Sequence, residues 1–263
     1  MEPTVEARNG PGVVVVVPTY NERDNIETLI HRVLAAVPDG HILIVDDGSP
    51  DGTGVIVDEL SRQDESHVSV LHRRTKEGLG AAYVAGFLHT LDRWPEVQYV
   101  VQMDADLSHD PRYIPALLEA TKTCDVAIGS RYVHGVSIVN WPLRRLIISR
   151  MGTSFAKVVT GVPVSDLTSG FKCFRAGVLR ALDLGKTRSN GYAFQIETVF
   201  RAWRVGYTLR DVPIIFYERE NGQSKLNLSI AFETLTIVLR LGMERLFGGP
   251  RKKPAVSGAR ARQ

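Results

Sequence analysis

The sequence predicts a single α/β domain built on a mostly parallel sheet. Short apolar segments alternate with segments whose apolar residues recur every three to four positions, as strands and amphipathic helices do. With 263 residues and 44% hydrophobic composition, the chain can bury one large core. Polar clusters follow several of the apolar segments directly. In a parallel sheet with crossover helices, such clusters lie at the carboxyl ends of the strands, where ligands bind.

The first half of the chain alternates regularly between the two kinds of segment. Apolar runs predict five strands, at residues 13–17, 42–45, 68–71, 99–102 and 126–128. Amphipathic runs predict four helices between them, at residues 25–37, 53–63, 79–91 and 111–121. This order is typical of a Rossmann-like sheet with crossover helices.

The pattern changes after Tyr132. A basic amphipathic helix is predicted at residues 143–159, and a C-terminal amphipathic helix at about residues 228–246. Between them we expect a loop, a strand, a helix, a strand and a second loop, at residues 165–170, 171–174, 194–205, 209–215 and 219–225. We therefore expect one domain over residues 13–247, an N-terminal extension over 1–12 and a basic, disordered tail over 248–263.

Charge and cysteine content argue against several classes of protein. The net charge is +3, and without the five basic residues of the acid-free tail the chain has 27 basic (32 − 5) and 29 acidic residues. Such a body is unsuited to neutralising many phosphates, so we expect no nucleic-acid partner. The two cysteines lack CxxC spacing, which favours a reducing compartment such as the cytoplasm. We expect no signal peptide and no spanning helix.

Two carboxylates one residue apart follow the predicted strand at residues 99–102. Because side chains two residues apart on a strand point the same way, Asp104 and Asp106 can reach one divalent cation. A hard cation of this kind can hold a diphosphate in turn. A lone Asp-x-Asp more often begins a turn, so the neighbouring motifs decide between the two interpretations.

Two glycine-containing motifs are ambiguous by themselves. Gly78-Leu79-Gly80 lacks the third glycine of a dinucleotide-binding loop, because Tyr83 stands at that position, which disfavours a dehydrogenase. In Asp46-Asp47-Gly48-Ser49, one acid can accept a hydrogen bond from a ribose or a base, but an ordinary Asp-Gly turn has the same sequence.

Taken in order, three motifs resemble the signature of family 2 inverting glycosyltransferases with the GT-A fold. They are Pro18-Thr19-Tyr20-Asn21-Glu22, Val45-Asp46-Asp47-Gly48-Ser49 and Asp104-Ala105-Asp106. Four further motifs are similar to those of dolichol- or polyprenol-phosphate mannosyltransferases. They are Gly129-Ser130-Arg131-Tyr132, the stretch from Trp141 to Arg150, Asp166-Leu167-Thr168-Ser169-Gly170-Phe171, and the stretch from Arg219 to Lys225.

The resemblance implies a role for each matched residue. The guanosine of GDP-mannose would be held by Pro18, Tyr20, Glu22, Val45 and Asp47. The diphosphate and its Mg²⁺ or Mn²⁺ would be met by Asp104, Ala105 and Asp106. Donor phosphates or the sugar region would be contacted by Arg131, Arg219 and Lys225, and the acceptor phosphate by Arg145 and Ser149. The residues closest to catalysis would be Asp106, Arg131, Arg145 and Ser149.

One position departs from the family pattern. Many relatives carry a metal-binding glutamine two residues beyond the second acid, where this chain has Ser108. Ser108 is therefore the third candidate metal ligand. Because a serine hydroxyl is a weaker ligand than a glutamine side chain and reaches less far, we expect a water to lie between Ser108 and the metal. His109 is expected to be a loop residue near the metal.

The resemblance implies inverting transfer of mannose from GDP-mannose to polyprenyl phosphate, for lipid-linked glycan synthesis or protein mannosylation. It also implies a peripheral enzyme on the cytoplasmic face of the membrane. The two amphipathic helices and the basic tail, or a separate membrane anchor protein, would hold it there. Two alternatives are a UDP-glucose-dependent polyprenyl-phosphate glucosyltransferase and an inactive, membrane-associated module that binds nucleotide sugars.

Overall fold

The computed structural model describes residues 10–133, 135–187, 189, 191–218 and 228–248. The first half contains β1 (Val13–Thr19), α1 (Arg23–Ala36), β2 (His41–Asp46), α2 (Thr53–Gln63), β3 (Val68–His72), α3 (Leu79–Arg93), β4 (Tyr99–Gln102), α4 (Ile114–Thr121) and β5 (Val126–Ser130). The second half contains β6 (Ile138–Val139), α5 (Leu143–Thr160), β7 (Lys172–Arg175), α6 (Ala176–Ala181), α7 (Gly191–Arg204), β8 (Leu209–Pro213), β9 (Phe216–Tyr217) and α8 (Leu228–Phe247). The predicted alternation of strands and helices is confirmed.

Seven strands form the central sheet in the order β3-β2-β1-β4-β7-β5-β8. All neighbouring pairs are parallel except those of β7, which runs antiparallel between β4 and β5. The mostly parallel, single-domain α/β fold predicted from the sequence is therefore confirmed. Central strands read as continuous apolar runs because helices cover both faces of the sheet. In β1, for example, Val14 and Val16 face one core cluster, and Val15 and Val17 face the other.

Several details differ from the sequence-based expectation. The helix expected near residues 194–205 begins earlier, at Gly191, and the strand expected over 209–215 ends at Pro213. The short helix α6 and the two-stranded parallel sheet of β6 and β9 were not expected. Strands of two residues lack a periodic pattern of their own, so only their pairing partner identifies them.

A fully buried lysine lies on β7 beneath the predicted site. Lys172 pairs in register with Gln102 of β4, and its ammonium donates a hydrogen bond to the side-chain oxygen of Gln195. Gln102 Nε2 donates to the same oxygen at 2.5 Å. Burial lowers the pKa of Lys172 to about 7, although the negative charges of Asp104 and Asp166 oppose this effect.

The C-terminal helix α8 packs closely against α5 and α7. Val238 is buried in the core, and a Cβ added to Gly242 would lie 2.5 Å from Val159 Cγ1 of α5. Arg245 Nη1 donates to the Val159 carbonyl oxygen at 3.4 Å, near the C-terminal end of α5, where carbonyl groups lack partners within the helix. The small glycine and the arginine thus fix α8 against α5.

The outer sides of α5 and α8 each expose a row of large apolar side chains. On α5 these are Leu143, Ile147, Met151, Phe155 and Val158. On α8 they are Phe232, Leu235, Leu239, Met243 and Leu246. Their spacing of three or four residues places each row on one side of its helix, and we call the ten residues the apolar face. Within the part of the chain that the structure describes, every helix is too short or too polar to cross a membrane.

We expect that replacing Lys172 with methionine stabilises the fold at neutral pH. Methionine of similar volume removes the cost of burying an ammonium group, and Gln195 keeps its bond from Gln102. The free energy of unfolding in urea at pH 7 should rise by about 1–4 kcal/mol, by analogy with the range found when buried ion pairs are replaced by apolar residues.

The pH dependence gives this prediction its sign. Because the pKa of Lys172 is about 7 in the folded protein and about 10.4 in an unfolded chain, the unfolded chain binds more protons between these values. The free energy of unfolding of the wild type therefore rises as pH rises through this window. The extra stability of Lys172→Met over the wild type should shrink toward pH 10. Lys122→Met, at an exposed lysine, is the control and should change stability by less than about 0.5 kcal/mol. Destabilisation by Lys172→Met would contradict the prediction.

Candidate active site

Most of the predicted site residues lie along the carboxyl edge of the sheet. Pro18 is the register partner of Val45, and Thr19 is the partner of Asp46, so the ends of β1 and β2 are level. Parallel pairing of β1 with β4 brings the end of β4, followed by Asp104, to the same edge. The end of β5 leads into Arg131 beyond β7. The sheet order therefore places Asp104 and Asp106 between the residues predicted to hold guanosine and Arg131.

The two acids at the end of β2, Asp46 and Asp47, make different contacts. Asp46 is buried and accepts hydrogen bonds from the hydroxyls of Thr19 and Ser49, at 3.1 and 2.5 Å. Asp47 instead forms an ion pair with Arg73 at 2.5 Å. Burial raises the pKa of the Asp47 carboxyl above its usual value, while Arg73 opposes that shift. Asp46 thus holds the turn together, whereas Asp47 is buried and paired with Arg73.

The segment after β3 contacts two of the residues predicted to hold guanosine, Tyr20 and Asp47. The Lys76 ammonium lies over the Tyr20 ring, 3.7 Å from its centroid. Glu22 is held where α1 begins, because its backbone N–H donates to Thr53 Oγ1 at 3.0 Å and its carboxylate accepts from Asn25 at 3.0 Å. The five predicted guanosine residues therefore gather at the ends of β1 and β2.

The first acid of the Asp104-Ala105-Asp106 motif lies in a close-fitting pocket. Asp104 Oδ1 accepts a hydrogen bond from the Tyr83 hydroxyl at 2.8 Å. A Cβ added to Gly170 would lie 2.8 Å from Asp104 Oδ2, so only glycine leaves room for the carboxylate. The Asp104 backbone N–H donates to His109 Nδ1 at 3.3 Å. His109 therefore carries its proton on Nε2, in the neutral form that accepts at Nδ1.

His109 is more deeply placed than the sequence suggests. Its ring is buried between Phe171 and Phe216, at centroid distances of 5.2 and 5.4 Å, and its backbone forms a β-bridge with Phe216. Burial lowers the pKa of His109, against the nearby charges of Asp104 and Asp106. His109 is thus a buried residue of the loop after β4, packed beside the two acids.

The second acid is held by its own loop. Asp106 Oδ1 accepts hydrogen bonds from the Ser108 hydroxyl at 2.5 Å and from the Ser108 backbone N–H at 3.1 Å. Asp106 and Ser108 are both buried. Ser108, the third candidate metal ligand, is thus in direct contact with the second.

These oxygen donors fit a small divalent cation. Carboxylates and a hydroxyl are hard ligands of the kind that Mg²⁺ and Mn²⁺ prefer. Among the described residues, no group of three or more His, Cys, Asp or Glu side chains is arranged to hold a metal ion. Mg²⁺ commonly uses one or two protein carboxylates and completes its shell with water and substrate phosphates. The partly exposed carboxylate of Asp104 and the buried carboxylate of Asp106 would supply two such ligands.

Arg131 is held in a buried ion pair with Asp166. Its Nε and Nη2 donate to the two carboxylate oxygens at 2.6 and 2.7 Å, and Nη2 also donates to Thr168 at 2.8 Å. Burial alone would raise the pKa of Asp166, but the charge and hydrogen bonds of Arg131 outweigh it and hold that pKa below its usual value. Both members of the pair are therefore charged, and the orientation of Arg131 is fixed.

Arg145 and Ser149 lie on the inner side of α5, near Arg131. The Arg145 guanidinium is 4.1 Å from the centroid of the Trp141 ring, and its Nη1 donates to Glu218 at 2.7 Å. Arg131 lies 5.7 Å from the same ring. The Ser149 hydroxyl is hydrogen-bonded to the Tyr132 hydroxyl at 2.9 Å. The residues predicted to meet an acceptor phosphate are thus brought together around two aromatic rings.

Two predicted residues, Arg219 and Lys225, lie outside the described residues. Conversely, several residues that support the site carry no motif or spacing that predicts a role for them. They are Arg73, Lys76, Tyr83, Asp166, Lys172, Gln195 and Glu218. Asp166 belongs to one of the quoted motifs, and Tyr83 stands where a dinucleotide-binding loop would have its third glycine, so each had a local signal. The others are recognised only by their contacts.

The sequence profile of glycosyl transferase family 2 matches residues 14–183. Undecaprenyl-phosphate mannosyltransferase of Micrococcus luteus is 44% identical over 241 residues, covering 92% of this chain and 98% of the relative. Polyprenol monophosphomannose synthase of Mycolicibacterium smegmatis is 46% identical over 231 residues, covering 88% and 86%. These names agree with the narrower resemblance found in the motifs.

A solved structure supports the fold. Glucosyl-3-phosphoglycerate synthase from Mycobacterium tuberculosis, crystallised with Mn²⁺, UDP-glucose and phosphoglyceric acid, aligns with a TM-score of 0.65 at 18% identity. The alignment covers 89% of this chain and 80% of that chain. With the sheet order, the motifs and the profile in agreement, this chain belongs to glycosyl transferase family 2 and has its GT-A-like fold.

Proposed function

We propose that this protein transfers mannose from GDP-mannose to a polyprenyl phosphate, inverting the anomeric carbon to give a β-mannosyl phosphate lipid. The proposal rests on the order of the strands in the sheet. That order places Asp104 and Asp106 between the residues of β1 and β2 proposed to hold guanosine and the arginines beyond β5. The names of the two relatives support mannose as the sugar and a polyprenyl phosphate as the acceptor. Guanosine is proposed from the motif residues alone.

In this proposal the donor lies across the ends of β2, β1 and β4. The Tyr20 ring offers an aromatic surface to the base, which has to displace Lys76 from that ring or stack on its other side. Asp47 offers a carboxylate to N–H groups of the base or to a ribose hydroxyl. Since Asp47 is paired with Arg73, the donor has to compete with or share that ion pair. The two acids beyond β4 then face the diphosphate. A bound Mg²⁺ or Mn²⁺ supplies the positive charge that stabilises the leaving diphosphate.

The acceptor needs no general base. A phosphate monoester carries about −1.5 to −2 charges at pH 7, so its oxygen attacks the anomeric carbon directly while the bond to the GDP oxygen breaks. Arg145 and Ser149 would orient that phosphate by donating hydrogen bonds to it. Glu218 holds Arg145 in place until the phosphate arrives. Arg131 would add positive charge nearby, with Asp166 keeping its guanidinium in position.

The reaction is tested with radiolabelled GDP-mannose and polyprenyl phosphate. We expect label in the organic phase with Mg²⁺ or Mn²⁺ and none with EDTA, and we expect GDP but not UDP to inhibit. Asp106→Ala should lower transfer by about 100-fold or more while the protein remains folded, because the metal loses a carboxylate. Asp92→Ala, at an exposed acid of α3, is the matched control.

Other results would point to the alternatives. Transfer from UDP-glucose but not from GDP-mannose would make the protein a glucosyltransferase. Nucleotide-sugar binding without any transfer would indicate the inactive module. Substantial transfer by Asp106→Ala would show that the metal assignment is wrong.

The apolar face suggests how the enzyme reaches a lipid substrate. Exposed apolar surfaces of this extent mark interaction sites, and Arg144, Arg150 and Lys157 are exposed on the same helix, α5. Apolar side chains flanked by basic ones suit an anionic bilayer surface. We therefore propose that the apolar face lies on the cytoplasmic leaflet, where the inner side of α5 presents Arg145 and Ser149 to the acceptor phosphate.

Vesicle binding tests this orientation. Met151→Glu and Met243→Glu change one exposed apolar residue on each helix. Each should weaken binding to phosphatidylglycerol-containing vesicles by about tenfold or more, because each removes about 1.5–3 kcal/mol of apolar burial. Val55→Glu, at an exposed valine of α2, should have no effect. Binding of wild-type protein only to vesicles that carry another membrane protein would favour a separate anchor.

A further inference from the structure

Each acid of the Asp104-Ala105-Asp106 motif is held by a buried hydroxyl group. The Tyr83 hydroxyl of α3 donates to Asp104 Oδ1 at 2.8 Å, and the Ser108 hydroxyl donates to Asp106 Oδ1 at 2.5 Å. Tyr83 and Ser108 are 0% and 1% exposed. In both cases the bond is made to one carboxylate oxygen, so it fixes the rotation of the carboxylate group.

Tyr83 meets Asp104 as a hydrogen-bond donor. Its O–H group points at Asp104 Oδ1, and a carboxylate oxygen can only accept that hydrogen bond. Its ring stacks on Phe87 and Phe194, at centroid distances of 5.8 and 5.7 Å, which fixes the hydroxyl beneath Asp104. With Gly170 on the other side of the carboxylate, Asp104 has little freedom to turn.

Ser108 is also fixed by its backbone. Leu107 has a φ of 59°, a left-handed conformation that is costly for leucine and that turns the chain back toward Asp106. The Ser108 carbonyl accepts from the Tyr217 N–H at 3.4 Å, which ties this loop to β9. The hydroxyl proton is then directed at Asp106 and not at the open edge of the sheet.

The distance between the two oxygens argues against Ser108 as a metal ligand. Neighbouring ligands of an octahedral Mg²⁺, with bonds of about 2.1 Å, lie about 3 Å apart. Ser108 Oγ and Asp106 Oδ1 are 2.5 Å apart, because the hydroxyl donates a hydrogen bond to the carboxylate. The Asp104 side chain, by contrast, is 27% exposed and accessible to an incoming cation.

We infer that Tyr83 and Ser108 are positioning residues for the metal and diphosphate site, each acting through the carboxylate that it holds. Ser108 therefore supports Asp106 instead of replacing the glutamine ligand of many relatives. The inference rests on the proposed function, since it takes Asp104 and Asp106 as the residues that hold the cation. Tyr83 thereby links α3 to the site through a side chain.

The test measures Mn²⁺ binding in the presence of GDP, by electron paramagnetic resonance, for wild type, Tyr83→Phe and Ser108→Ala. Both variants should bind Mn²⁺ about 10- to 100-fold more weakly, the usual effect of removing a group that orients a metal ligand. GDP affinity without metal and the thermal midpoint of the metal-free protein should stay near wild type. Tyr207→Phe and Ser61→Ala, whose hydroxyls donate to backbone carbonyls away from the acids, are matched controls.

Water-proton relaxation separates a positioning role from ligation. If Ser108 acts through Asp106, Ser108→Ala leaves the number of waters on Mn²⁺ unchanged, whereas loss of a direct ligand would add one and overturn the inference for Ser108. Unchanged Mn²⁺ affinity in both variants would overturn the inference and leave the proposed function standing. Failure of the wild-type protein to bind Mn²⁺ with GDP would overturn both.

Discussion

The site depends on the parallel register of β1 with its two neighbours. Thr19 lies beside Asp46, and Val16 lies beside Gln102, so three strands reach the same edge of the sheet together. A slip of one residue would turn each side chain of the slipped strand to the opposite face. Polar side chains would then meet the apolar helices, and the acids beyond β4 would leave the edge. Packing of the apolar residues on both faces therefore specifies the positions of the polar ones.

The antiparallel strand β7 adds what a purely parallel sheet would lack. Because β7 begins at the carboxyl edge, Gly170 comes against Asp104, and Lys172 lies beneath the acids. The same direction brings the Asp166 loop to Arg131. Lys172, Arg131 and Asp166 are charged groups, and burying such groups costs stability unless they are well paired. We interpret this layer of buried polar groups under the sheet edge as lowering the stability of the fold while fixing the electrostatic environment of the site.

Helix α5 connects the site with the outside of the molecule. Its inner side carries Arg145 and Ser149, and its outer side carries half of the apolar face. Helix α8 is fixed beside it through Gly242 and Arg245. In the proposed reaction this arrangement suits an acceptor whose phosphate is polar and whose chain is apolar. One amphipathic helix then serves both parts of the substrate.

The sequence by itself determined most strands and helices of this protein, because apolar spacing is a local property that burial on one or both faces imposes. It also identified the family, through short motifs at the ends of strands. The placement of β7 and the pairings Tyr83 with Asp104, Arg131 with Asp166 and Lys172 with Gln195 were decided only by the tertiary structure. These partners lie 21 to 35 residues apart in the chain, and no local pattern encodes which side chains meet once the strands are ordered.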